Sequence, residues 1–302
     1  MRPARPRRPR QPDESSPLAD HAASPNGRTL RCGRFALSLA RPLIMGVVNV
    51  TPDSFYDGGR HADARTAIEH ARRLVEEGAD LLDVGGESSR PGADAIAPDE
   101  ELRRVLPVLD GLREVGVPIS VDTTKPEVMR AVLEHGAAMI NDITALASPD
   151  ALATVARSEA GVCLMHMQGH PRTMQADPVY ADVVAEVRDF LGARVAACAA
   201  AGIARERIVL DPGFGFGKTV DHNLALLARL GDIAALGFPV LAGWSRKSSL
   251  GRVTGRPAED RLAASLAAAL LSVQHGARMV RVHDVAATRD ALALLAAVES
   301  AS

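Results

Sequence analysis

The chain has 302 residues, of which 47% are hydrophobic and 24% are charged, and its formal net charge is -2. This composition supports a buried core and excludes a wholly disordered chain, while the length fits one large α/β domain or two smaller ones. A net charge near zero argues against a dedicated nucleic-acid binder. No apolar run reaches the roughly 18 to 20 residues that a membrane span needs.

The first 26 residues differ in composition from the rest of the chain. They contain six Pro, and five of the first ten residues are Arg. The segment has no apolar stretch of the kind found in secretory signals, so a solvated tail is the simplest interpretation, with an Arg-rich arm that touches nucleic acid as the alternative. We predict a disordered tail over residues 1–27 and one catalytic domain over residues 28–302.

Cysteine and lysine are both scarce. The three cysteines are widely spaced and form no CxxC pair: Cys32, Cys163 and Cys198. This pattern favours a reducing cytoplasm over a disulfide framework. Only three of the 35 basic residues are Lys, namely Lys125, Lys218 and Lys247. Where Lys is retained against such a bias, chemistry can require an ammonium in place of a guanidinium.

From residue 41 onward, short apolar runs alternate with helical patterns. The predicted strands are 43–50, 81–85, 119–122, 139–143, 162–166, 208–210, 240–242 and 279–282. The predicted helices are 62–77, 99–115, 126–134, 149–158, 180–200, 222–230, 259–275 and 286–299. Repeated strand–helix units over this length are typical of a single (β/α)8 TIM barrel, with a doubly wound open sheet as the alternative. The fold class is therefore α/β.

Polar residues lie at or just after the carboxyl end of every predicted strand. They are Asn49; Asp83; Asp122; Asn141 with Asp142; His166; Asp211; Ser245 to Ser248; and Arg281 with His283. Any one of them can be explained by a helix cap or a turn. Because the carboxyl ends of barrel strands meet at one face, we expect the set to converge on one site.

The residue types suggest what such a site holds. Asp122, Asn141 and Asp211 supply hydrogen-bond acceptors that suit a flat, nitrogen-rich heterocycle with N–H donors. Arg281 and His283, together with Gly-rich loops, supply donors that suit a phosphate or diphosphate. The pattern therefore favours substitution with a diphosphate leaving group over hydrolysis.

One segment imitates a phosphate-binding P-loop. Residues 213–219 read GFGFGKT, but Pro212 stands where the first glycine of that motif belongs. The spacing fails and the segment follows a late strand, which argues against an NTPase.

Two further patterns imitate metal sites. His166 and His170 have the spacing of a zinc-binding helix, but Gly169 and Pro171 disfavour a helix there. Asp80 precedes its strand and is expected in a solvated turn, while Asp83 is expected to be a structural group at the barrel mouth.

Seven segments, in this order, carry a family resemblance. They are MGVVNVTPDSF from Met45, DVGGESSRPG from Asp83, SVDT from Ser120, ND from Asn141, LDPGFGFGK from Leu210, SRKS from Ser245 and RVHD from Arg281. Together they resemble the bacterial dihydropteroate synthases, TIM-barrel pterin-binding enzymes of folate biosynthesis that sulfonamides inhibit. The resemblance covers nearly all of the chain outside the tail.

The resemblance implies a reaction and a set of roles. A transferase of this family joins 6-hydroxymethyl-7,8-dihydropterin diphosphate to 4-aminobenzoate, giving 7,8-dihydropteroate and diphosphate with the help of Mg²⁺. Asn49 is the implied ligand of Mg²⁺. The implied substrate-binding residues are Ser89, Asp122, Asn141, Asp211, Phe216, Lys247, Ser248, Arg281 and His283. The implied catalytic residues are Asp53, Arg90, Lys247, Arg281 and His283, with Phe55 on the first mobile loop and Arg90 and Pro91 on the second.

A dissociative transition state is expected for this chemistry, because the reacting carbon is conjugated to the pterin. Asp53 and Asp122 are placed to stabilise the resulting cation. An ammonium at Lys247 can reach both a ring carbonyl and a carboxylate, whereas Lys125 and Lys218 are expected to be structural.

The family pattern has small departures and leaves two competing hypotheses. Ser89 stands where Thr is commoner and Tyr56 where a small residue is frequent, so altered loop packing is expected. A corrinoid-linked methyltransferase shares the pterin-binding barrel, and a non-catalytic paralogue binds pterin alone. Neither needs the full diphosphate set. A homodimer in the cytoplasm, with small-molecule substrates and no nucleic-acid or membrane partner, is the expected setting.

Overall fold

The computed structural model describes residues 29–50, 60–90 and 92–301, and for residues 60–63 the backbone only. The strands are β1 Thr29–Cys32, β2 Phe35–Ser38, β3 Leu43–Asn49, β4 Leu81–Gly85, β5 Ile119–Asp122, β6 Met139–Asp142, β7 Gly161–Met165, β8 Ile208–Asp211, β9 Leu241–Ala242 and β10 Met279–Val282. The helices are α1 Arg60–Glu76, α2 Pro98–Gly111, α3 Pro126–Glu134, α4 Pro149–Ala156, α5 Val183–Ala200, α6 Val220–Ala228, α7 Leu230–Ala234, α8 Ser248–Thr254, α9 Leu262–Gln274 and α10 Val285–Ser300.

Eight of the strands form one parallel sheet that closes on itself. The order is β8-β7-β6-β5-β4-β3-β10-β9. A parallel bridge between Leu210 and Val240 joins the two ends, with the N–H of Leu210 donating to the carbonyl oxygen of Pro239 at 2.9 Å. The predicted TIM barrel is therefore confirmed, and the open doubly wound sheet is excluded.

The strands bury both faces because one faces the barrel interior and the other faces the helices. The interior cluster takes one or two residues from most strands: Leu43, Met45, Leu81, Met139, Cys163, Val209, Leu241 and Met279. The alternate residues, such as Ile44, Leu82 and Ile140, pack against the surrounding helices. This period of two means that residues two positions beyond an interior apolar side chain point into the barrel mouth, the end where the strands terminate.

A hairpin that the sequence analysis did not predict closes the opposite end. β1 and β2 pair antiparallel around a turn at Gly33, which has φ +56°. Leu30 and Cys32 are fully buried against the interior cluster. The hairpin thus supplies apolar side chains that the barrel strands alone do not provide at that end.

Several boundaries and one environment differ from prediction. The helix expected from residue 180 begins at Val183, because the side chain of Asp182 accepts hydrogen bonds from the N–H groups of Val184 and Ala185. Asp80 was expected in a solvated turn, and this was wrong. Its side chain is only 14% exposed and pairs with Arg41 at 2.5 Å.

The described part of the chain contains no helix that is long and apolar enough to cross a membrane. The predicted tail, residues 1–27, lies outside the described residues.

Candidate active site

Four predicted or neighbouring polar residues form one linked group in the barrel mouth. Arg281 on β10 donates from Nε to Asp83 Oδ2 on β4 at 2.6 Å. Its Nη2 lies 3.5 Å from Asp122 Oδ2 on β5. Asn141 on β6 donates from Nδ2 to the same Asp83 oxygen at 3.0 Å. Strands far apart in sequence thus bring a guanidinium, two carboxylates and a carboxamide together.

The mouth also contains acceptors that the protein itself leaves without donors. Among the described residues, the buried side-chain atoms without a hydrogen-bond partner are Asp83 Oδ1, Glu101 Oε1, Ser120 Oγ, Asn141 Oδ1 and Trp244 Nε1. Three of them, on Asp83, Ser120 and Asn141, lie on the adjacent strands β4, β5 and β6. Asp83 pairs with Ser120, and Asn141 pairs with Asp122, two positions further along β5. Buried polar atoms are normally satisfied, so this concentration indicates a ligand rich in N–H donors.

The electrostatics of the group depart from ordinary behaviour. Burial raises the pKa of Asp122 to about 7; the charge of Asp83 adds to the effect and Arg281 opposes it. Burial alone lowers the pKa of Arg281, but Asp83 and Asp122 outweigh it and hold the pKa above its usual value. The guanidinium therefore stays charged, while Asp122 exchanges a proton near neutral pH.

Lys247 lies on the other side of the mouth, immediately before α8. Its Nζ donates to the carbonyl oxygen of Phe214 and stands 4.7 Å from the ring centroid of Phe216. Burial lowers the pKa of Lys247 to about 8, and the charge of Asp211 partly offsets this. Burial likewise raises the pKa of Asp211, which Lys247 opposes. The predicted residues Asp211, Phe216 and Lys247 therefore share one environment.

The glycine-rich segment after β8 wraps around a buried ammonium. Lys218 Nζ lies 3.0 Å from each of His166 Nδ1, the carbonyl oxygen of Gly213 and the carbonyl oxygen of Phe216. Gly213 has φ +69°, and a Cβ there would collide with the carbonyl oxygen of His166. Burial lowers the pKa of Lys218 to about 7 and that of His166 to about 3. The lysine therefore holds the loop that presents Phe216, and His166 is neutral.

His283 and Asn49 lie together on the β3–β10 side. His283 Nδ1 is 2.9 Å from Ser245 Oγ, which also accepts from the backbone N–H of His283 at 3.2 Å. Burial lowers the pKa of His283 to about 4, and Arg281 adds to this. Asn49 and His283 also line a cavity of about 370 Å³ beside α1, and Arg73 of that helix is among its other lining residues.

The remaining predicted residues occupy loops. Ser89 is half-buried in the loop after β4, and the neighbouring Arg90 is exposed. Ser248 is exposed at the first position of α8. Asp53, Phe55 and Pro91 lie outside the described residues, so their predicted roles stay predictions.

One polar residue at the mouth is structural. Asp142 accepts from the N–H and Oγ1 of Thr144 at 2.8 and 2.7 Å and from the N–H of Leu146 at 2.9 Å. These bonds hold a turn in which Leu146 has φ +54°. The carboxylate of Asp142 therefore has hydrogen-bond donors within the protein and stabilises this turn.

The sequence analysis missed one residue of the mouth and assigned another a narrower role. Ser120 lies two positions before Asp122 on the same face of β5, so the strand period could have revealed it. Asp83 was expected to be a structural group, but it joins Arg281 and Asn141 and carries a free acceptor. No local pattern predicts that contact, because its partners lie on distant strands.

Comparison with known proteins gives a consistent result. The profile of the family described as pterin binding enzyme matches residues 45–283. A dihydropteroate synthase of Neisseria meningitidis serogroup B is 54% identical over 269 residues, covering 87% of this chain and 94% of the relative.

Solved structures agree with the sequence match. A Xanthomonas albilineans dihydropteroate synthase with 4-aminobenzoic acid superposes with a TM-score of 0.85 at 54% identity, covering 90% of this chain and 98% of that one. A Burkholderia cenocepacia dihydropteroate synthase complexed with 7,8-dihydropteroate gives a TM-score of 0.82 at 52% identity, covering 90% and 97%. The chain belongs to the pterin binding enzymes and, within them, to the dihydropteroate synthases, which are transferases.

Proposed function

We propose that this chain joins 6-hydroxymethyl-7,8-dihydropterin diphosphate to 4-aminobenzoate by a dissociative substitution assisted by Mg²⁺. The observation that carries the proposal is the set of unsatisfied buried oxygens on Asp83, Ser120 and Asn141 at the barrel mouth, where Arg281 and Lys247 supply positive charge. An aminopyrimidine edge offers several N–H donors in one plane. It would satisfy these atoms without displacing Arg281 from Asp83.

The pterin is bound by groups whose charge and protonation suit its edges. Asp122, near its pKa at neutral pH, accepts from a ring N–H or donates to a ring nitrogen. Asn141 offers its unpaired carboxamide oxygen, and Asp211 accepts from the opposite edge. The ammonium of Lys247 donates to the ring carbonyl. Because these groups are held by strand ends and a helix start, little ordering is needed on binding.

The leaving diphosphate is received on the side of Arg281 and His283, with Ser89 and Arg90 on the loop above. His283 is neutral at pH 7, because burial lowers its pKa to about 4. Ser245 Oγ accepts from the backbone N–H of His283 and lies 2.9 Å from its Nδ1. We assign the tautomer in which this hydroxyl donates to Nδ1 and the ring proton is on Nε2. His283 can therefore donate to a diphosphate oxygen without changing protonation state.

The described residues fit a magnesium ion that arrives with the substrate. Asn49 offers one hard carboxamide oxygen beside His283. Within the described ranges no three His, Cys, Asp or Glu side chains are grouped as a metal site. Mg²⁺ commonly takes one or two protein oxygens and completes its shell with substrate phosphates and water. When bound, the ion would supply charge neutralisation for the departing diphosphate.

The bond changes place specific demands on the remaining residues. The bond between the pterin methylene carbon and the diphosphate oxygen breaks, and a bond from that carbon to the amine nitrogen forms. Asp122 and Asp53 stabilise the positive charge that develops on the pterin. The amine needs no strong base, because an arylamine is largely unprotonated at neutral pH, and its surplus proton passes to the released diphosphate or to water.

The aminobenzoate is framed by Phe216 and Lys247, with its carboxylate toward Ser248. Phe216 offers a ring face, and Lys247 lies 4.7 Å from that ring. Ser248 is the first residue of α8, so its backbone N–H has no acceptor within the helix and can donate to a ligand.

The first test is diphosphate release by the purified chain. We expect release that requires 4-aminobenzoate and stops when Mg²⁺ is chelated. Saturable pterin binding by calorimetry without release would indicate a pterin-binding protein that does not catalyse transfer. Absence of both would refute the proposal.

Lys247→Ala tests the ammonium. The variant should retain its fold, since Lys247 lies at a helix start, yet kcat should fall by about 10²-fold or more. Circular dichroism and thermal unfolding serve as controls. Near-normal kinetics in a folded variant would remove Lys247 from the site.

A homodimeric state and a cytoplasmic location, expected from the family resemblance and the cysteine usage, remain part of the proposal. Size-exclusion chromatography with light scattering would test the first.

A further inference from the structure

A three-membered ionic group lies behind the loop that follows β4. Lys125 Nζ donates to Glu87 Oε2 and to Glu101 Oε2, each at 2.5 Å. Glu101, on α2, is completely buried, and the side chains of Lys125 and Glu87 are 17% and 20% exposed. The group lies outside the mouth contacts described above and joins three separate elements.

Glu87 also determines the shape of the loop. Its second oxygen, Oε1, accepts from the backbone N–H of Ile96 at 2.9 Å. One carboxylate therefore ties the start of the segment 87–96 to its end. That segment carries Ser89 and Arg90, the residues assigned above to the diphosphate side.

Lys125 fixes this closed loop to the barrel. It precedes α3, and its carbonyl oxygen accepts from the N–H of Met129 at 2.9 Å, as the first turn of that helix requires. Its own N–H donates to Thr123 Oγ1 at 3.3 Å, just after β5. The backbone of Lys125 is thus fixed between β5 and α3, and its side chain binds the loop through Glu87.

The chemistry suits a lysine. Two carboxylates from different elements converge on one nitrogen, which an ammonium with three donors can serve and a planar guanidinium serves less well. In a chain with only three Lys among 35 basic residues, retention at this position agrees with that requirement.

We propose that Lys125 is a positioning residue for the transfer: through Glu87 it holds the base of the 87–96 loop and so places Ser89 and Arg90 against the diphosphate. The role of the loop in this inference rests on the proposed function. The contacts of Lys125 with Glu87 and Glu101 do not depend on it. The competing explanation is that Lys125 only neutralises the buried charge of Glu101.

A double variant separates the two explanations. Lys125→Met alone leaves Glu101 buried without a counter-charge, so both stability and activity should fall. Lys125→Met combined with Glu101→Met removes the buried charge and keeps side-chain volume, so the melting temperature should recover. Glu87 still lacks its anchor in this variant, so kcat/KM for the pterin diphosphate should stay about 10-fold or more below the wild type.

Hydrogen exchange gives a readout that does not depend on activity. In the double variant the amides of segment 87–97 should exchange about 10-fold faster than in the wild type, while those of β4 and α2 remain protected. Arg207→Met is the control. Arg207 is a buried cation before β8, where it donates to the carbonyl oxygens of Ala160 and Val155 at 2.7 and 2.9 Å. Its loss should lower the melting temperature without changing loop exchange.

The outcomes are distinct. Recovery of both kcat/KM and loop protection in the double variant would show that Lys125 only neutralises Glu101, and would overturn the inference. If the wild type is inactive but the loop amides exchange faster in the double variant than in the wild type, the proposed function is refuted and the anchoring of the loop by Lys125 is still supported. If the wild type is active and the double variant shows reduced kcat/KM but unchanged loop exchange, the result also contradicts the anchoring of the loop by Lys125.

Discussion

At the scale of single residues, Asp122 shows how the barrel mouth is tuned at a cost in stability. Burial raises its pKa to about 7, Asp83 adds to that effect, and the Arg281 guanidinium only partly offsets it. An acid that exchanges its proton near neutral pH can match a heterocycle that both donates and accepts. Such residues commonly trade stability for function.

The sign of this cost leads to a pH-dependent prediction. In the unfolded chain the carboxyl titrates near pH 4. Between about pH 4 and 7 the folded chain therefore binds more protons, so the stability associated with Asp122 is present below that window and is lost as pH rises through it. Asn does not titrate and avoids this loss.

We expect Asp122→Asn to raise the free energy of unfolding relative to wild type more at pH 8 than at pH 5, while turnover falls by about 10²-fold. Urea denaturation at the two pH values measures the first effect, and diphosphate release measures the second. A stability difference that is identical at both pH values would contradict the raised pKa.

At the scale of elements, the turn between β9 and α8 holds a non-glycine residue in a left-handed conformation. Arg246 has φ +59°. Its N–H donates to Ser265 Oγ and its carbonyl oxygen accepts from Arg261 Nη1, both at 3.0 Å. Its guanidinium donates from Nε and Nη2 to the two carboxylate oxygens of Asp284 at 3.1 and 2.6 Å, and we call this ion pair the clamp. Such strain persists where the surroundings over-determine it, often beside functional groups.

This clamp joins the neighbours of two site residues, since Lys247 follows Arg246 and His283 precedes Asp284. We expect Asp284→Asn to reduce kcat/KM by about 10-fold, because loss of the ion pair lets Lys247 and His283 shift. The free energy of unfolding should change by only about 1 kcal/mol or less, because the pair is partly exposed.

A matched control lies further along α10. Asp290 pairs with its neighbour Arg289 at 3.4 Å and is 75% exposed. Asp290→Asn should leave both quantities unchanged. If Asp284→Asn behaves like this control in steady-state kinetics, the clamp does not position the site.

At the scale of the whole molecule, the barrel interior is divided into an apolar end and a polar mouth. The hairpin β1–β2 covers the apolar end, where Leu30 and Cys32 are fully buried. The mouth carries the unsatisfied acceptors and the ionic group around Arg281. Burial at the first end stabilises a structure that leaves polar atoms unpaired at the other.

A pair of truncations tests this division. Removing residues 1–27 should leave the melting temperature and kcat/KM unchanged, because the buried clusters of the described residues begin at Leu30. Removing residues 1–38 should cost about 3 kcal/mol or more, since two buried side chains are lost and the interior cluster is uncovered. Differential scanning calorimetry distinguishes the two. Equal melting temperatures for both would show that the hairpin does not stabilise the barrel.

The sequence by itself determined the barrel and predicted most of the candidate site. Apolar runs and helical periods are local properties, so each strand of the barrel and most helices could be placed within a few residues. Because the strand ends of a parallel barrel meet at one face, the topology alone places polar residues such as Asp122 and Arg281 at the mouth. The motif order carried the family and its reaction, because motifs preserve side chains whose chemistry is specific.

Only the tertiary structure decided which of these groups touch. The bond from Arg281 to Asp83 spans 198 positions in the sequence. The packing of the β1–β2 hairpin on the barrel interior and the closing bridge at Leu210 are also non-local. The neutral state of His283, the exchangeable proton of Asp122 and the anchoring by Lys125 depend on burial and on charges brought in from other elements. A pattern along the chain carries neither quantity, because solvent exclusion and Coulomb interactions depend on distance in space.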